Sequence, residues 1–356
     1  MATLGPALST RDNALNFVRL LLAITVIVAH TWPLGGYGVE PTVGDSNIGH
    51  LAVAGFFAIS GYLITISRMR LPLGQFMMNR AVRILPGFWV CLIVVAFLIA
   101  PVMNVLAGTG WSIGSAAGYV VKNAGLFIFQ MGIADGPLGV PFEHAWNGSL
   151  WTLSYEFAAY LATAALFTIP AARRRPGVAA AIVLVTTVGG QIVAPTLLAS
   201  VSTNLYRNLV MNALWLGAFY AAGVLFAAIR DRVPVSLPVA IVAAALFVVA
   251  VMTHTVTTLG ALPLAYIVLW LGAALRVRVG ASNDFSYGVY IYAFPVQQAL
   301  AAIGVGAAVP FAVFVVIALG VTIGLAWASW ALVERPSLTA SRRLVQARRV
   351  SLPETG

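Results

Sequence analysis

The chain of 356 residues is 61% hydrophobic and only 8% charged, which leaves too little charged surface to coat a water-soluble globule of this size. It has 20 basic and 10 acidic residues, a formal net charge of +10, and one cysteine, Cys91, which excludes a disulfide framework and a cysteine metal cluster. This composition predicts an all-α integral membrane protein.

Apolar stretches of about 20 residues recur along the chain, each long enough to cross a hydrocarbon core of roughly 30 Å as a helix. About ten transmembrane helices are predicted, in a single multi-pass domain over residues 1–350. They are expected to begin near Asn13, His50, Ile84, Ser149, Val178, Leu209, Val235, Thr257, Phe285 and Val309. The tail, residues 351–356, ends in LPETG, a sortase pattern without the segments that a sorting signal needs, so chance or a cloning scar explains it.

The basic residues predict the orientation of these helices, because short basic loops stay in the cytoplasm. Threading ten helices from an inside N-terminus places all the basic residues except Lys122 and Arg207 on one side, and the positions there include Arg11 and Arg278. Both termini are therefore predicted to be cytoplasmic, with the protein in the cell inner (plasma) membrane. The excess positive charge is then a topology signal, which argues against a nucleic-acid partner.

The first predicted helix, NFVRLLLAITVIVAHTWPLGG, contains Arg19 and His30. An ionisable side chain at mid-bilayer costs at least about 2.5 to 3.5 kcal/mol, so such groups normally face a protein interior or a wet cavity. The two residues are 11 positions apart, about 16 Å of helical rise and about three turns, so they share one face at different depths. That face is expected to point inward. The alternatives are that Arg19 snorkels to the inner interface and that His30 is an interfacial histidine.

Two arginines, Arg80 and Arg83, lie in QFMMNRAVRILPGFWV, where the third helix is expected to start on the cytoplasmic side. Residues three apart at a helix start project from nearly one side, and two guanidinium forks in this arrangement suit phosphates. Positive-inside anchoring is the alternative.

The longest non-helical stretch, roughly Gly108 to Gly148, is expected outside the cell. Its partly apolar segment GYVVKNAGLFIFQ either lies along the membrane interface or dips into the protein. His144 in this loop, like His50 and His254, is expected to be an ordinary interfacial histidine. No metal-ligand spacing links these histidines, so no metal site is predicted.

The fourth predicted helix opens with NGSLWTLSYEFAAYL, in which Glu156 lies seven residues beyond Ser149 and about 10 Å into the helix from outside. A carboxylate at that depth would orient an imidazole, pair with an arginine or hold an incoming hydroxyl, and a structural pair between helices is the alternative. Trp151 and Tyr155 flank it, either as part of an aromatic belt or as a weak platform for an acceptor.

Two acidic residues near the C-terminal end have structural interpretations. Asp284 opens DFSYG and is expected to cap a helix or complement its dipole. Glu334 and Arg335, in VERP at the inner end of the last helix, are expected to form a salt bridge or a structural motif.

Several of these segments, in this order along nearly the whole chain, resemble the membrane-bound acyltransferase-3 family, whose members acylate surface glycans and other extracytoplasmic acceptors. The resemblance rests on Arg19 followed by His30 and on the segments VAGFFAISGYLIT, RAVRILP, SLWTLSYE, FSYGVYIYAFPV and VERP. The chain departs from the family at Leu20, where a glycine is common, and at Ala293, where many relatives have histidine. No second histidine is therefore expected near Pro295.

The resemblance implies an O-acyltransferase, most often an O-acetyltransferase, that takes an acyl group from cytoplasmic acyl-CoA and delivers it to a hydroxyl outside. No bound cofactor is expected: acyl-CoA (acetyl-CoA) is a co-substrate, and the partners are an extracytoplasmic glycan or other hydroxyl acceptor and the lipid bilayer. His30 is then the general base, with Arg19 and Glu156 as further catalytic residues, while Arg80 and Arg83 bind the acyl donor.

A covalent route through Ser60 or Ser154 is less favoured, because helix serines usually bond backbone carbonyls. The alternative from another functional class is a multi-pass transporter or flippase of a polar or lipid-linked substrate, with the intramembrane ionisable residues as a relay. The sequence shows none of the internal repeats that often mark transporters, which argues against it.

Overall fold

The computed structural model describes residues 2–10, 12–106, 108, 110–200, 203–277, 279 and 284–350, with side chains described as far as residue 343. Arg11, Arg278 and the LPETG tail, which entered the sequence predictions, lie outside the described residues.

The described residues are mostly helical, with almost no strand. Two short strands, β1 (Thr42–Val43) and β2 (Ser46–Asn47), pair antiparallel with Thr42 opposite Asn47. The helices are α1 (Leu4–Ala7), α2 (Leu15–Gly35), α3 (Ile48–Arg70), α4 (Leu73–Val94), α5 (Ala100–Leu106), α6 (Ile113–Asn123), α7 (Trp151–Leu166), α8 (Pro170–Arg174), α9 (Pro176–Leu197), α10 (Asn204–Ala228), α11 (Leu237–Met252), α12 (Val256–Leu259), α13 (Ala261–Ala274), α14 (Ser286–Ala302), α15 (Val305–Ala308), α16 (Phe311–Ser329) and α17 (Arg335–Val350).

Three shorter helical segments adjoin these helices. A π-helical segment, Val95–Ile99, joins α4 to α5, and a second, Trp330–Glu334, joins α16 to α17. A 3-10 turn, Gly148–Leu150, leads into α7.

Six helical segments among the described residues are long and apolar enough to cross a membrane, as a multi-pass membrane protein requires. They are Leu15–Gly35, Ile48–Arg70, Leu73–Leu106, Pro176–Leu197, Asn204–Ala228 and Phe311–Arg343. The helices α11 and α13 are apolar but shorter. A helix lies at each of the ten predicted places, whereas ten membrane crossings and the cytoplasmic termini stay predictions.

Three places differ from the prediction. The helix α10 begins at Asn204 rather than near Leu209, and the stretch 108–148, expected to be non-helical, contains α6.

The largest difference is in the third helix. The third helix was expected near Ile84, whereas α4 begins at Leu73, directly after Pro72. Glutamine, methionine and arginine are good helix formers, and no proline follows Pro72 until Pro86, so the helix extends through the polar segment. Arg80 and Arg83 therefore lie inside α4 rather than at its start.

The chain folds into two compact units, of which the first comprises residues 1–26, 41–70 and 155–282. Here α3 and α10 cross closely because each presents a glycine: a Cβ at Gly61 would overlap the carbonyl oxygen of Tyr220, and a Cβ at Gly223 that of Ala58. Arg68, expected as a topology anchor, is buried in this unit. Its Nε donates to Ala164 O at 3.3 Å, near the end of α7, where a cation complements the helix dipole.

The second unit comprises residues 27–40, 71–154 and 283–356 and is built around α14, which is buried from Ser286 to Gln298. Pro295 has no N–H to offer, so the carbonyl of Ile291 needs another donor. Asn147 Nδ2 supplies it at 2.8 Å, and the buried Cys91 Sγ lies 3.4 Å from the same oxygen. Cys91 therefore packs in the interior, as its apolar surroundings predict.

Candidate functional site

His30 lies in the last third of α2, half-buried, with its ring edge-on to Phe294 of α14. The two ring centroids are 5.5 Å apart at an interplanar angle of 76°. Gln297, one turn further along α14, donates from Nε2 to the Ile27 carbonyl at 2.8 Å and to Thr31 Oγ1 at 2.8 Å. The helix α14 therefore holds α2 by hydrogen bonds on both sides of His30 along the chain.

Gln297 is a site residue that the sequence reasoning missed. It is fully buried and lies in AFPVQQAL, where two amides interrupt an apolar helix. A buried polar side chain inside the membrane normally requires a specific partner, so this pair of glutamines was the signal that could have identified it.

Gln298 makes an equivalent attachment to the loop before α7. It is also fully buried, and its Nε2 donates to Phe142 O at 2.6 Å and Ala145 O at 2.7 Å. The Phe142 ring contacts Phe294 edge-on, with centroids 5.8 Å apart. Phe294 thus touches both the histidine of α2 and the end of this loop.

Arg83 lies in a cluster of charges within the second unit. Its Nη2 is 2.6 Å from Asp284 Oδ2, and its Nη1 is 3.8 Å from Glu334 Oε2. The guanidinium carbon also lies 5.9 Å from the ring centroids of both Tyr287 and Trp330. The sequence predicted a guanidinium fork suited to phosphates, and in the structure both terminal nitrogens of Arg83 face carboxylates.

The two carboxylates of this cluster have different outcomes. Asp284 lies just before α14, but the N-cap residue of that helix is Phe285, which provides no side-chain cap. Asp284 instead pairs with Arg83 and accepts a hydrogen bond from Ser286 Oγ at 2.6 Å. Glu334 forms a salt bridge with Arg83, and its side chain is only 3% exposed. The guanidinium carbon of Arg80 lies 6.0 Å from the ring centroid of Phe76.

Glu156 belongs to the first unit, where two hydroxyls donate to its Oε1. Ser60 Oγ lies at 3.1 Å and the Tyr160 hydroxyl at 2.5 Å. Ser60 therefore bonds a carboxylate rather than a backbone carbonyl, whereas Ser154 bonds Trp151 O at 2.7 Å, as expected of a helix serine.

The remaining predicted site residues are all half-buried. Arg19, in the second turn of α2, and Tyr155 lie half-buried in the first unit, and the Tyr155 hydroxyl is 3.4 Å from Leu209 O. Trp151 is half-buried in the second unit at the start of α7. Within the second unit, His30 is joined to α14 and the loop before α7, and Arg83 to Asp284 and Glu334.

Comparison with known proteins identifies the chain. The family model described as an acyltransferase domain, of the acyltransferase-3 family, matches residues 12–331. A protein named O-acetyl transferase from Shigella phage Sf6 is 31% identical over 300 residues, covering 81% of this chain and 85% of the relative. Nodulation protein 10 from Rhizobium leguminosarum bv. viciae is 28% identical over 376 residues, covering 97% and 98%.

No solved structure matches the chain. The family model nevertheless spans most of the sequence, including Arg19, His30, Arg80, Arg83 and Glu156. The chain therefore belongs to the membrane-bound acyltransferase-3 family and is an acyltransferase.

Proposed function

We propose that the protein is an O-acetyltransferase that moves the acetyl group of cytoplasmic acetyl-CoA to a hydroxyl of an extracytoplasmic glycan or related acceptor, with His30 as the general base. Membership of the acyltransferase-3 family and the relative named O-acetyl transferase support the reaction class. One observation supports the assignment of His30 as the base: Phe294 contacts its ring, and Gln297 forms a hydrogen bond with the same turn of α2.

The proposed chemistry needs one proton acceptor. The acceptor oxygen attacks the thioester carbonyl while the imidazole of His30 removes its proton. The carbon–sulfur bond then breaks, the thiolate of coenzyme A leaves, and the imidazolium returns the proton to the sulfur. An imidazole held against Phe294 keeps one orientation through both proton transfers, which is what positioning for catalysis requires.

Arg80 and Arg83 are the proposed donor-binding residues, since guanidinium groups suit phosphates. In the structure Arg83 is already paired with the carboxylates of Asp284 and Glu334. For Arg83 to bind a phosphate, the phosphate must displace one of these carboxylates. This requirement would make the cluster selective for the coenzyme A phosphates over anions that bind arginine more weakly.

Glu156 and Arg19 are proposed as further catalytic residues, and Trp151 and Tyr155 as contacts of the acceptor. The two hydroxyls that donate to Glu156 suit a carboxylate that accepts a hydrogen bond from an incoming hydroxyl. The chemistry of these four residues and the pattern of the family support these roles.

The test is acyl transfer by the purified protein. Radiolabelled acetyl-CoA and a surface polysaccharide are supplied together, and release of free thiol is measured alongside label in the polysaccharide. Thiol release coupled to labelled product is expected. Movement of a substrate across proteoliposome membranes without either product would instead establish a transporter and overturn the proposal.

A further inference from the structure

An open cleft of about 440 Å³ lies within the second unit, between α6 and the loop that joins α6 to α7. Its volume is in the range of small-ligand sites. We name it the loop cleft. Its lining includes Gly118, Lys122, Phe129, Gln130, Asp135 and His144.

The loop around the cleft is held by side-chain hydrogen bonds rather than by regular structure. Asn123 Oδ1 accepts from the N–H of Phe129 at 2.9 Å, and its Nδ2 donates to Gln130 O at 2.7 Å. Gln130 Nε2 in turn donates to Ser115 O at 3.0 Å and Gly132 O at 2.9 Å. These bonds preorganise the cleft.

Two cleft residues have strained backbones. Ala134 and His144 have φ values of 51° and 64°, in the left-handed region that most side chains avoid. Hydrogen bonds maintain both: the Ala134 N–H donates to Ser115 Oγ at 2.6 Å, and the His144 N–H to Pro137 O at 3.0 Å. Strained backbone conformations that neighbouring groups maintain in this way occur mostly at active sites and ligand-binding sites.

The polar groups of the cleft match a polyol. Lys122 is a hydrogen-bond donor and Asp135 an acceptor, and sugar hydroxyls can satisfy both. Gln130 has its amide N–H groups directed at the backbone, so its Oε1 lies on the side of Gly118, 3.2 Å from where a Cβ would stand. Phe129 is 72% exposed and offers a ring face to the C–H side of a sugar. A phosphate would gain Lys122 but meet the carboxylate of Asp135, which disfavours a lipid headgroup.

The cleft is also coupled to His30. His144 lies two residues after Phe142, whose ring contacts Phe294, and Phe294 contacts His30. Gln298 fixes the same end of the loop through Phe142 O and Ala145 O. The cleft residue His144 is thus linked to the proposed base through Phe142 and Phe294.

We infer that the loop cleft is a saccharide-binding subsite that holds a sugar ring of the acceptor. Its place in catalysis rests on the proposed function, whereas sugar binding itself does not. The inference predicts that simple pyranoses bind there weakly and reversibly, whether or not acyl transfer occurs.

Thiol protection tests the inference, because the only cysteine in the sequence, Cys91, is buried and reacts little. Gly114→Cys places a thiol in the cleft, where a Cβ would meet Ser112 Oγ at an ordinary 3.7 Å. Ala117→Cys, exposed on the same helix but outside the cleft lining, is the matched control. Each variant is labelled with a membrane-impermeant maleimide in the presence of one of five sugars (D-glucose, D-galactose, L-rhamnose, N-acetyl-D-glucosamine or D-glucuronate) or of glycerol 3-phosphate, which represents a lipid headgroup.

At about ten times its dissociation constant, at least one of these sugars should slow labelling of Gly114→Cys about tenfold and leave Ala117→Cys unchanged. Adding Asp135→Asn to the Gly114→Cys protein should weaken this protection. Absence of protection by all five sugars, equal protection of both thiols, or protection by glycerol 3-phosphate alone would each overturn the inference. Because the readout is binding, a failed acyl-transfer assay leaves this result interpretable.

Discussion

Two residues of α14 hold His30 in place. Phe294 contacts its ring, and Gln297 forms hydrogen bonds with Ile27 and Thr31, which are close to His30 in α2. A histidine that is merely interfacial would tolerate glutamine, which keeps a similar size but takes up no proton at neutral pH. His30→Gln is therefore expected to lower the rate of acyl transfer by about 10² to 10⁴ if the imidazole is the base. The measurement is acetyl transfer by parent and variant matched for melting temperature. A variant within about threefold of the parent rate, far short of that loss, would remove His30 from the mechanism.

Gln297 and its neighbour Gln298 provide a matched pair of variants. Both are fully buried and each donates two hydrogen bonds, one set to α2 and the other to the loop before α7. Gln297→Leu should mainly lower kcat, because the turn containing His30 loses its attachment. Gln298→Leu should mainly raise KM for the acceptor. Both should cost about 1–3 kcal/mol of unfolding free energy. Equal changes of kcat and KM in the two variants would reduce Gln297 to a packing residue.

Lysine variants can separate the roles of Arg80 and Arg83. Arg80→Lys is expected to raise KM for acetyl-CoA by about tenfold or more, since a hydrogen bond to a charged group contributes about 1.5–3 kcal/mol. Arg83→Lys should raise KM and also lower the melting temperature, because its ion pair with Asp284 is broken. Unchanged donor KM in folded protein carrying both substitutions would show that the arginines act as topology anchors.

At the scale of elements, close helix crossings depend on glycine in the first unit. Gly61 of α3 faces the carbonyl of Tyr220, and Gly223 of α10 faces that of Ala58. Without hydrophobic driving force between helices in lipid, this close backbone approach supplies much of their attraction. The α3–α10 pair is therefore a rigid element with little tolerance for added volume.

Gly61→Ala is expected to destabilise the protein by about 1–3 kcal/mol, because overpacking forces the two helices apart. Gly320→Ala in α16 is the control, since a Cβ there meets no atom within 4 Å among the described residues. It should be neutral or slightly stabilising. Thermal melting in one detergent checks both, and equal melting temperatures for the two variants would contradict the packing argument.

The π-helical segment Trp330–Glu334 also acts at this scale. A π segment adds a residue to the turn and so changes which side of the helix the following residues occupy. Glu334, its last residue, contacts Arg83 of α4. An uninterrupted α-helical pattern would have assigned Glu334 a different direction, so the sequence pattern predicted a salt bridge but not its partner.

For the whole molecule, the placement of basic residues predicts cytoplasmic termini and an outside loop before α7. Alkaline phosphatase fused after Gly356 should be inactive in intact cells, because that reporter folds only outside the cytoplasm. The same reporter inserted at Gly139, an exposed loop position with nothing near its Cβ direction, should be active. Activity of the C-terminal fusion would overturn the topology, and with it the outward location of the loop cleft.

The membrane class, the helical content and the family were predictable from the amino-acid sequence, which also indicated His30 and Glu156 as candidate site residues. These follow from local properties, since a span requires about 20 apolar residues wherever the chain goes, and an ionisable residue within it is costly. The extended start of α4 was missed because Pro72 permits a helix at once and the polar residues after it favour helix too.

Only the tertiary structure decided which residues meet. Arg83 pairs with Asp284, 201 positions away, and Gln297 binds Ile27, 270 positions away. No local pattern encodes such contacts, because they depend on how buried polar groups find partners once the helices have packed. The same holds for the loop cleft, whose walls come from a helix and an irregular loop joined by side-chain hydrogen bonds that no hydropathy or periodicity signal reveals.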